Sequence, residues 1–344
     1  MGTIVSPQVQ TTVVNAVGAS WYEDLTTELL DECVALGIGV VGCTAQDIWD
    51  DTLEGIENLQ TVRRIVEDHP QAFVVARRDD LAKAGDGRVG VVLGLQSPKP
   101  LSDSINFLEA FIDMGLRCCS LAFRDNSYYG CGFAAPVDSG LSHIGTLAVR
   151  TMNRRGVVID LSHSGDRTAL DAVAASEHPV IFSHSMAREL MKQGPKVEWA
   201  GVKHNAVSRA APDELIVAAA KKGGVVCPDA RIGGDIDNLI RHVEHIVQLV
   251  GIDHVGITAQ DDWHRSAKDA RRIQPYLPGY DSVAGKTARK LGSDYRIHRM
   301  EDQLGPRALA ADRIGEALRK RYSEEDTTKI MGQNVLRVFE TVLR

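Results

Sequence analysis

Cysteine is scarce in this chain: Cys33, Cys43, Cys118, Cys119, Cys131 and Cys227 are six residues in 344, with no Cys-x-x-Cys spacing. That pattern argues against a disulfide framework or a thiolate zinc cluster, and the thiols are expected to be reduced. Long apolar runs are also missing. No window reaches the 18 or so apolar residues of a membrane span, and residues 1–20 lack a basic stretch followed by an apolar one. The protein is therefore read as cytoplasmic, without membrane contact. Positive charge is in deficit, 39 Lys plus Arg against 46 Asp plus Glu for a net −7, and no basic stripe interleaves with aromatics. Nucleic acid is not an expected partner. There is no G-x-S-x-G elbow, no Walker-type phosphate loop and no G-x-G-x-x-G between a strand and a helix, so serine-nucleophile and nucleotide-dependent chemistries have no support.

What is present is a rhythm. Hydrophobic residues make up 44% of the chain and charged residues 25%, ample for a large core. Short β-branched runs at 11–17, 37–43, 90–95, 116–123, 156–162, 179–185, 223–229 and 254–260 alternate with helix-period stretches at 24–35, 56–66, 103–114, 143–155, 166–175, 213–222 and 236–250. Near-continuous apolar strands alternating with helices are what parallel βαβ units produce, since both faces of their sheet are covered. Eight such repeats predict an α/β fold, a (β/α)8 TIM barrel covering about residues 10–305. Residues 1–344 are read as one domain, with a long loop at about 261–305 and a C-terminal helical extension over 306–344.

In such barrels the polar residues at the carboxyl ends of the strands converge on one mouth. That rule selects Cys43, Asp47, Gln96, Arg124, Asp125, Asp160, His163, His184, Asp229, Arg231, Gln260, Asp261 and Asp262. His163 in DLSHSG and His184 in FSHS end adjacent strands, and two imidazoles meeting there suit one divalent ion: zinc, manganese or iron. A histidine that merely bonds a neighbouring carbonyl is the competing reading for either alone. Asp160 is a candidate acceptor fixing an imidazole tautomer. Asp261 or Asp262 is a candidate general base, with an exposed acidic turn as the alternative. Arg209 is a candidate clamp for a substrate carboxylate, against a solvated loop arginine. His242 and His245 fall on a helical stretch, His143 near a helix start, and His178 and His254 before strands, away from the mouth.

The stretches GLSHIGTLAVRTMNRRGVVIDLSHSG, HPVIFSHSMAREL, SRAAPDELIVAAAKKGGVV, GIDHVGI and IMGQNVLRVFE resemble, in order and spacing, the membrane (renal) dipeptidase family of the amidohydrolase superfamily. The likeness covers roughly Arg88 to Trp263 plus the C-terminal helix. It implies a (β/α)8 barrel with two metal ions at its mouth, a homodimer, and cleavage of dipeptides or related amides. Carried over by position, the two histidines after strands 5 and 6 fall on His163 and His184, and the carboxylate-binding arginine on Arg209. Other positions depart from the family. Its strand 1 pattern Asp-Gly-His-x-Asp meets Asn15, Ala16, Val17, Gly18 and Ala19. Its bridging glutamate meets Gln96, whose amide oxygen still coordinates but carries no charge. Its substrate-contacting histidine meets Phe123, followed by Arg124 on the substrate side, and its acidic residue ending strand 8 meets Gln260.

The expected function is thus a divergent, dipeptidase-like metal-dependent hydrolase or lyase acting on a small carboxylated amide or amino-acid-derived substrate. The site holds one divalent ion on His163 and His184 with help from Gln96. The alternative is a catalytically inactive, metal-free barrel that binds a small ligand or partner.

Overall fold

The computed structural model describes residues 13–14, 20–21, 25–46, 50–85, 87–191, 196–199, 202–229, 235–258 and 307–344. The strands are β1 (Val13–Val14), β2 (Ser20–Trp21), β3 (Val40–Thr44), β4 (Ala72–Val74), β5 (Val89–Leu95), β6 (Leu116–Ser120), β7 (Val158–Asp160), β8 (Ile181–Phe182), β9 (Lys196–Trp199), β10 (Val202–Asn205) and β11 (Val225–Val226). The main sheet runs β1-β3-β5-β6-β7-β8-β11, every pair parallel. Parallel bridges Val226↔Val255 and Asp229↔Thr258 add the eighth position beside β11. The expected strands therefore follow one another in order around a curled α/β sheet of TIM-barrel type. No pairing of the eighth position with β1 occurs among the described residues.

Four strands were not expected. β2 joins β3 beyond β1, through Ser20↔Cys43. β4 pairs with the first half of β5, Ala72↔Val89 to Val74↔Val91, while β6 takes over from Leu93 onward. β9 and β10 form a separate antiparallel hairpin. Runs of two to four residues carry too little periodicity to be read locally; tertiary pairing makes them strands. The expected long loop at 261–305 lies outside the described residues.

The helices are α1 (Thr27–Ala35), α2 (Thr52–Asp68), α3 (Arg78–Leu81), α4 (Ile105–Asp113), α5 (His143–Arg155), α6 (Asp166–Ala175), α7 (Ala206–Arg209), α8 (Asp213–Lys221), α9 (Ile236–Val250), α10 (Arg307–Arg319), α11 (Glu324–Thr328) and α12 (Asn334–Val342). Their ends follow capping chemistry. Asp51 and Glu54 form a reciprocal capping box on α2, which therefore starts before the apolar periodicity does. Gly156 ends α5 at φ +69°, where a side chain would be strained. No helix of the described residues is long and apolar enough to cross a membrane.

Alternation along the strands separates two cores. Val41, Cys43, Leu93, Leu95, Cys119, Leu121, Ile159, Leu161, Phe182 and Val226 pack outward against the helices. Val40, Val92, Cys118, Val158, Ile181, Val225 and Cys227 face inward, where they meet Val335, Val338, Phe339, Val342 and Leu343 of the C-terminal helix. Val40, Val158, Ile181 and Val225 open their strands, and Val92 and Cys118 lie midway along theirs. The C-terminal extension thus fills the amino end with hydrocarbon and leaves the carboxyl ends for chemistry.

Candidate metal-binding site

Continuing the inward positions toward the carboxyl ends, the barrel turns from apolar to polar: Gln46, Gln96, Ser120, Asp160, Ser183, Asp229 and Thr258 are all buried. Asp160 is fully buried at the end of β7. Its Oδ1 accepts the backbone N–H of Ser162 (3.0 Å) and of Ser183 (3.1 Å), and its Oδ2 accepts the Ser183 hydroxyl (2.6 Å). Burial pushes this carboxyl above the usual carboxylate range, against the pull of the serine and amide bonds.

With its proton given to the carboxylate, Ser183 Oγ is an acceptor for His184 Nδ1, 2.6 Å away. The His184 backbone N–H donates to Ser162 Oγ (3.1 Å), and Thr258 Oγ1 donates to the Ser183 carbonyl, tying the eighth strand position to the sixth. His184 Nε2 then acts as an acceptor, and it makes a 2.6 Å hydrogen bond with His163 Nε2. The ring centroids are 4.6 Å apart. Two imidazole nitrogens on adjacent strand ends face one point. The sequence reading offers Asp160 as an acceptor fixing the tautomer of His163; its side-chain bond in the structure goes to Ser183, which faces His184. It acts on His184, through Ser183, because Asp160 pairs in register with Ile181 and the next inward residue on that strand is Ser183.

His163 has φ +71°, a left-handed conformation that strains a β-carbon by about 1–3 kcal/mol. The loop after β6 holds it there. Phe133 N–H donates to the His163 carbonyl (2.8 Å), Gly132 bridges Ser164, and Gly165 N–H donates to the Cys131 carbonyl (2.8 Å). Gly132 permits this approach: a β-carbon there would lie 2.4 Å from the Arg124 backbone. The loop also lays two rings on His163, Phe123 at a centroid distance of 4.2 Å and Phe133 at 5.9 Å.

The remaining candidates scatter. Gln96 is buried just past β5, on the inward side. Arg124 is mostly buried and reaches Asp125 at 3.0 Å. Arg209 ends α7 with Nη2 3.9 Å from the buried Asp229 Oδ2, so a carboxylate of the protein already faces it. Arg188, paired with Asp166, flanks it by donating to the Ala210 and Ser208 carbonyls. Cys43 packs outward, away from the mouth. Asp47, Arg231, Gln260, Asp261, Asp262 and the strand 1 positions 15–19 lie outside the described residues. His245 bonds Asp213 (2.7 Å), His254 the Gly224 carbonyl (2.9 Å), and His242 accepts the Ala187 N–H (3.1 Å). Among the described residues no cluster of three or more His, Cys, Asp or Glu is placed to hold a metal.

Three residues of this region were missed. Gln46 and Ser183 were legible by strict alternation, counting in twos from Val40 and Ile181, and Gln46 Nε2 donates to the Ser97 carbonyl (2.9 Å). Phe133 carried no local signal, because a returning loop delivers it.

The donor chemistry fits a divalent transition metal: a neutral imidazole whose Nδ1–H is tied down offers its Nε2 lone pair to the ion. The chain is 28% identical over 306 residues to Dipeptidase tcpJ of Claviceps purpurea, covering 85% of this chain and 60% of that protein. It is 27% identical over 236 residues to Dipeptidase 3 of Rattus norvegicus, covering 64% and 45%. It therefore spans about half the length of these relatives. In fold it is similar to an amidohydrolase from Pseudomonas aeruginosa (TM-score 0.75, 22% identity, 98% of each chain). It is also similar to a metallo peptidase from Rhodobacter sphaeroides liganded with a phosphinate mimic of L-Ala-D-Ala (TM-score 0.68, 14% identity, 96% and 99%). The profile described as Membrane dipeptidase (Peptidase family M19) matches residues 34–266, and the chain belongs to that family.

Proposed function

We propose that the protein is a metal-dependent hydrolase or lyase of a small carboxylated amide or amino-acid-derived substrate, using one zinc, manganese or iron ion held by His163 and His184. The observation that carries this reading is the convergence of the two Nε2 atoms from adjacent strand ends, with His184 Nδ1 anchored through Ser183 to buried Asp160. When bound, such an ion polarises a carbonyl or lowers the pKa of water. Around it Gln96 offers a neutral oxygen, and Asp261 or Asp262 is the proposed general base. Phe123 and Arg124 border the substrate. Arg209 is assigned the substrate carboxylate, which has to share the guanidinium with Asp229; recognition there is weaker than at an arginine facing no carboxylate. The homodimer implied by the family is part of the same proposal, checked by light scattering.

Elemental analysis of protein purified without chelator tests the reading. The expected result is no more than one tightly bound ion per chain, lost in His163→Ala and in His184→Ala. Two well-occupied ions contradict a mononuclear site. No bound or reloadable ion leaves the alternative of a metal-free ligand-binding barrel.

A further inference from the structure

Two phenyl rings lean on one of the two histidines, and neither is fully covered. Phe123 and Phe133 are half-buried, 4.2 and 5.9 Å by ring centroid from His163, at interplanar angles of 39° and 38°. They come from one loop, Phe123 just past β6 and Phe133 about midway from there to α5. The loop is rigidly tied. Gly132 N–H donates to the Asp125 carbonyl (3.0 Å) and Ala134 N–H to the Arg124 carbonyl (2.9 Å). Ser127 Oγ donates to the Leu121 carbonyl (2.7 Å). Farther along, Asp138 takes the backbone N–H groups of Gly140, Arg167 and Thr168 and the Thr168 hydroxyl, which locks the loop to the start of α6.

The two sides of the histidine pair differ in chemistry. Below His184 the polar groups are spent on one another, from Ser183 and Ser162 to Asp160, and are closed to solvent. Beside His163 the protein offers hydrocarbon that is partly open. Pre-organised aromatic faces next to a reacting centre hold a planar or bulky apolar group by stacking and by removing its surface from water, without ordering anything on binding.

We propose that Phe123 and Phe133 form a specificity wall, and that the substrate carries an aryl or comparably apolar group adjoining the bond that reacts at the histidine pair. The assignment rests on the histidine pair being the metal-holding end of the site, as proposed above. It adds the class of substituent that the site selects.

The test compares benzohydroxamate with acetohydroxamate by isothermal titration, with zinc-loaded protein and with metal-free protein, zinc content being measured on the same samples. The wild type is expected to prefer the aryl ligand at least tenfold. Phe123→Ala and Phe133→Ala should each reduce that preference to under threefold, with acetohydroxamate affinity and zinc content held within about twofold. A bracing role for the rings predicts the reverse: zinc affinity falls and the aryl-to-methyl ratio stays. Should an alanine variant not fold, Phe123→Leu and Phe133→Leu carry the test, with the preference at least halved. Equal affinities in the wild type, a ratio unmoved by these variants, or no binding with or without zinc overturns the wall. Failure to take up zinc counts against the metal reading alone, because an aryl preference in the metal-free titration still supports the wall.

Discussion

Replacing Ser183 by alanine isolates the link between Asp160 and His184. The hydroxyl makes two contacts of 2.6 Å, one to Asp160 Oδ2 and one to His184 Nδ1. Both neighbours are buried, so water cannot substitute for the lost partner. Leaving a buried polar group unsatisfied costs about 1–3 kcal/mol. Asp160 keeps the two N–H donors on Oδ1, which puts the expected loss of metal-free stability at about 2–4 kcal/mol rather than the full sum of two orphaned groups. The second consequence is functional. Without the serine, nothing commits the His184 proton to Nδ1, and the fraction of the ring offering its Nε2 lone pair falls. Partners that orient a ligating histidine are worth about 10- to 100-fold in metal affinity. Zinc affinity measured by competition with a chromophoric chelator at neutral pH should fall in that range, with urea denaturation of the metal-free variant reporting the stability loss. Ser162→Ala is the comparison: its hydroxyl receives the His184 backbone N–H and borders the relay at Asp160 and at Ser183 Oγ (3.3 Å), without touching the ring. It should lower stability with a much smaller change in zinc affinity. A folded Ser183→Ala protein that binds zinc within twofold of wild type would refute the relay.

Three further outcomes are expected. At φ +71° a β-carbon is strained and glycine is not, so His163→Gly should be more stable than His163→Ala by about 1 kcal/mol in urea titrations; equal midpoints would remove the strain. Burial, reinforced by Arg241 and His245, lowers the His242 pKa from 6.5 to about 4. The unfolded chain therefore binds the proton first as pH falls, and stability should decline between pH 6.5 and 4 by on the order of 3 kcal/mol from this group, then level off below it. His242→Asn should flatten that decline in urea midpoints measured across the range; an unchanged slope excludes the assignment. Simple L,L-dipeptides should be hydrolysed negligibly. The resemblance puts Gln260, which cannot accept a proton at neutral pH, where the family has an acidic residue, so base catalysis falls to Asp261 or Asp262, one or two residues off that position, and a misplaced general base forfeits up to the roughly 10²- to 10⁴-fold that a positioned one supplies. Robust turnover of several dipeptides in the presence of zinc, manganese or iron contradicts this.

The parts of the molecule that sequence revealed are those that one strand encodes alone. Each of the longer runs β3, β5 and β6 alternates between outward residues on the helices and inward residues on the axis, so strand order and the direction of the mouth follow from pattern. His163 and His184 were visible because each sits just past such a run. What stayed hidden depends on two segments at once. Ser183 beside His184 reads as an ordinary small residue until the register of β7 against β8 brings Asp160 beneath it. Arg209 reads as a free clamp until a separate strand end supplies Asp229. Phe133 is placed by a loop that doubles back over His163, and no periodicity in residues 124–142 announces that return. Alternation would have chosen Gln46 over Asp47, since inward positions recur every second residue from Val40.

The concentration of unfavourable terms in one layer is itself an argument about selection on this barrel. Lower down, Val40, Val92, Val158, Ile181 and Val225 close the interior against the C-terminal helix with apolar packing alone. One step nearer the carboxyl ends, the chain buries a carboxyl whose pKa burial raises and bends a histidine into the left-handed region. Well-packed apolar residues of similar volume at these positions would serve folding as well or better. The loop bonds to His163 and the serine bonds to Asp160 offset part of that expense, and they do so by fixing where the two Nε2 atoms point. Rigid placement of two donors is of no use to a core and of direct use to a coordinated ion. The same reasoning extends to the phenyl rings: stability favours covering them fully, and both stay half-buried beside His163.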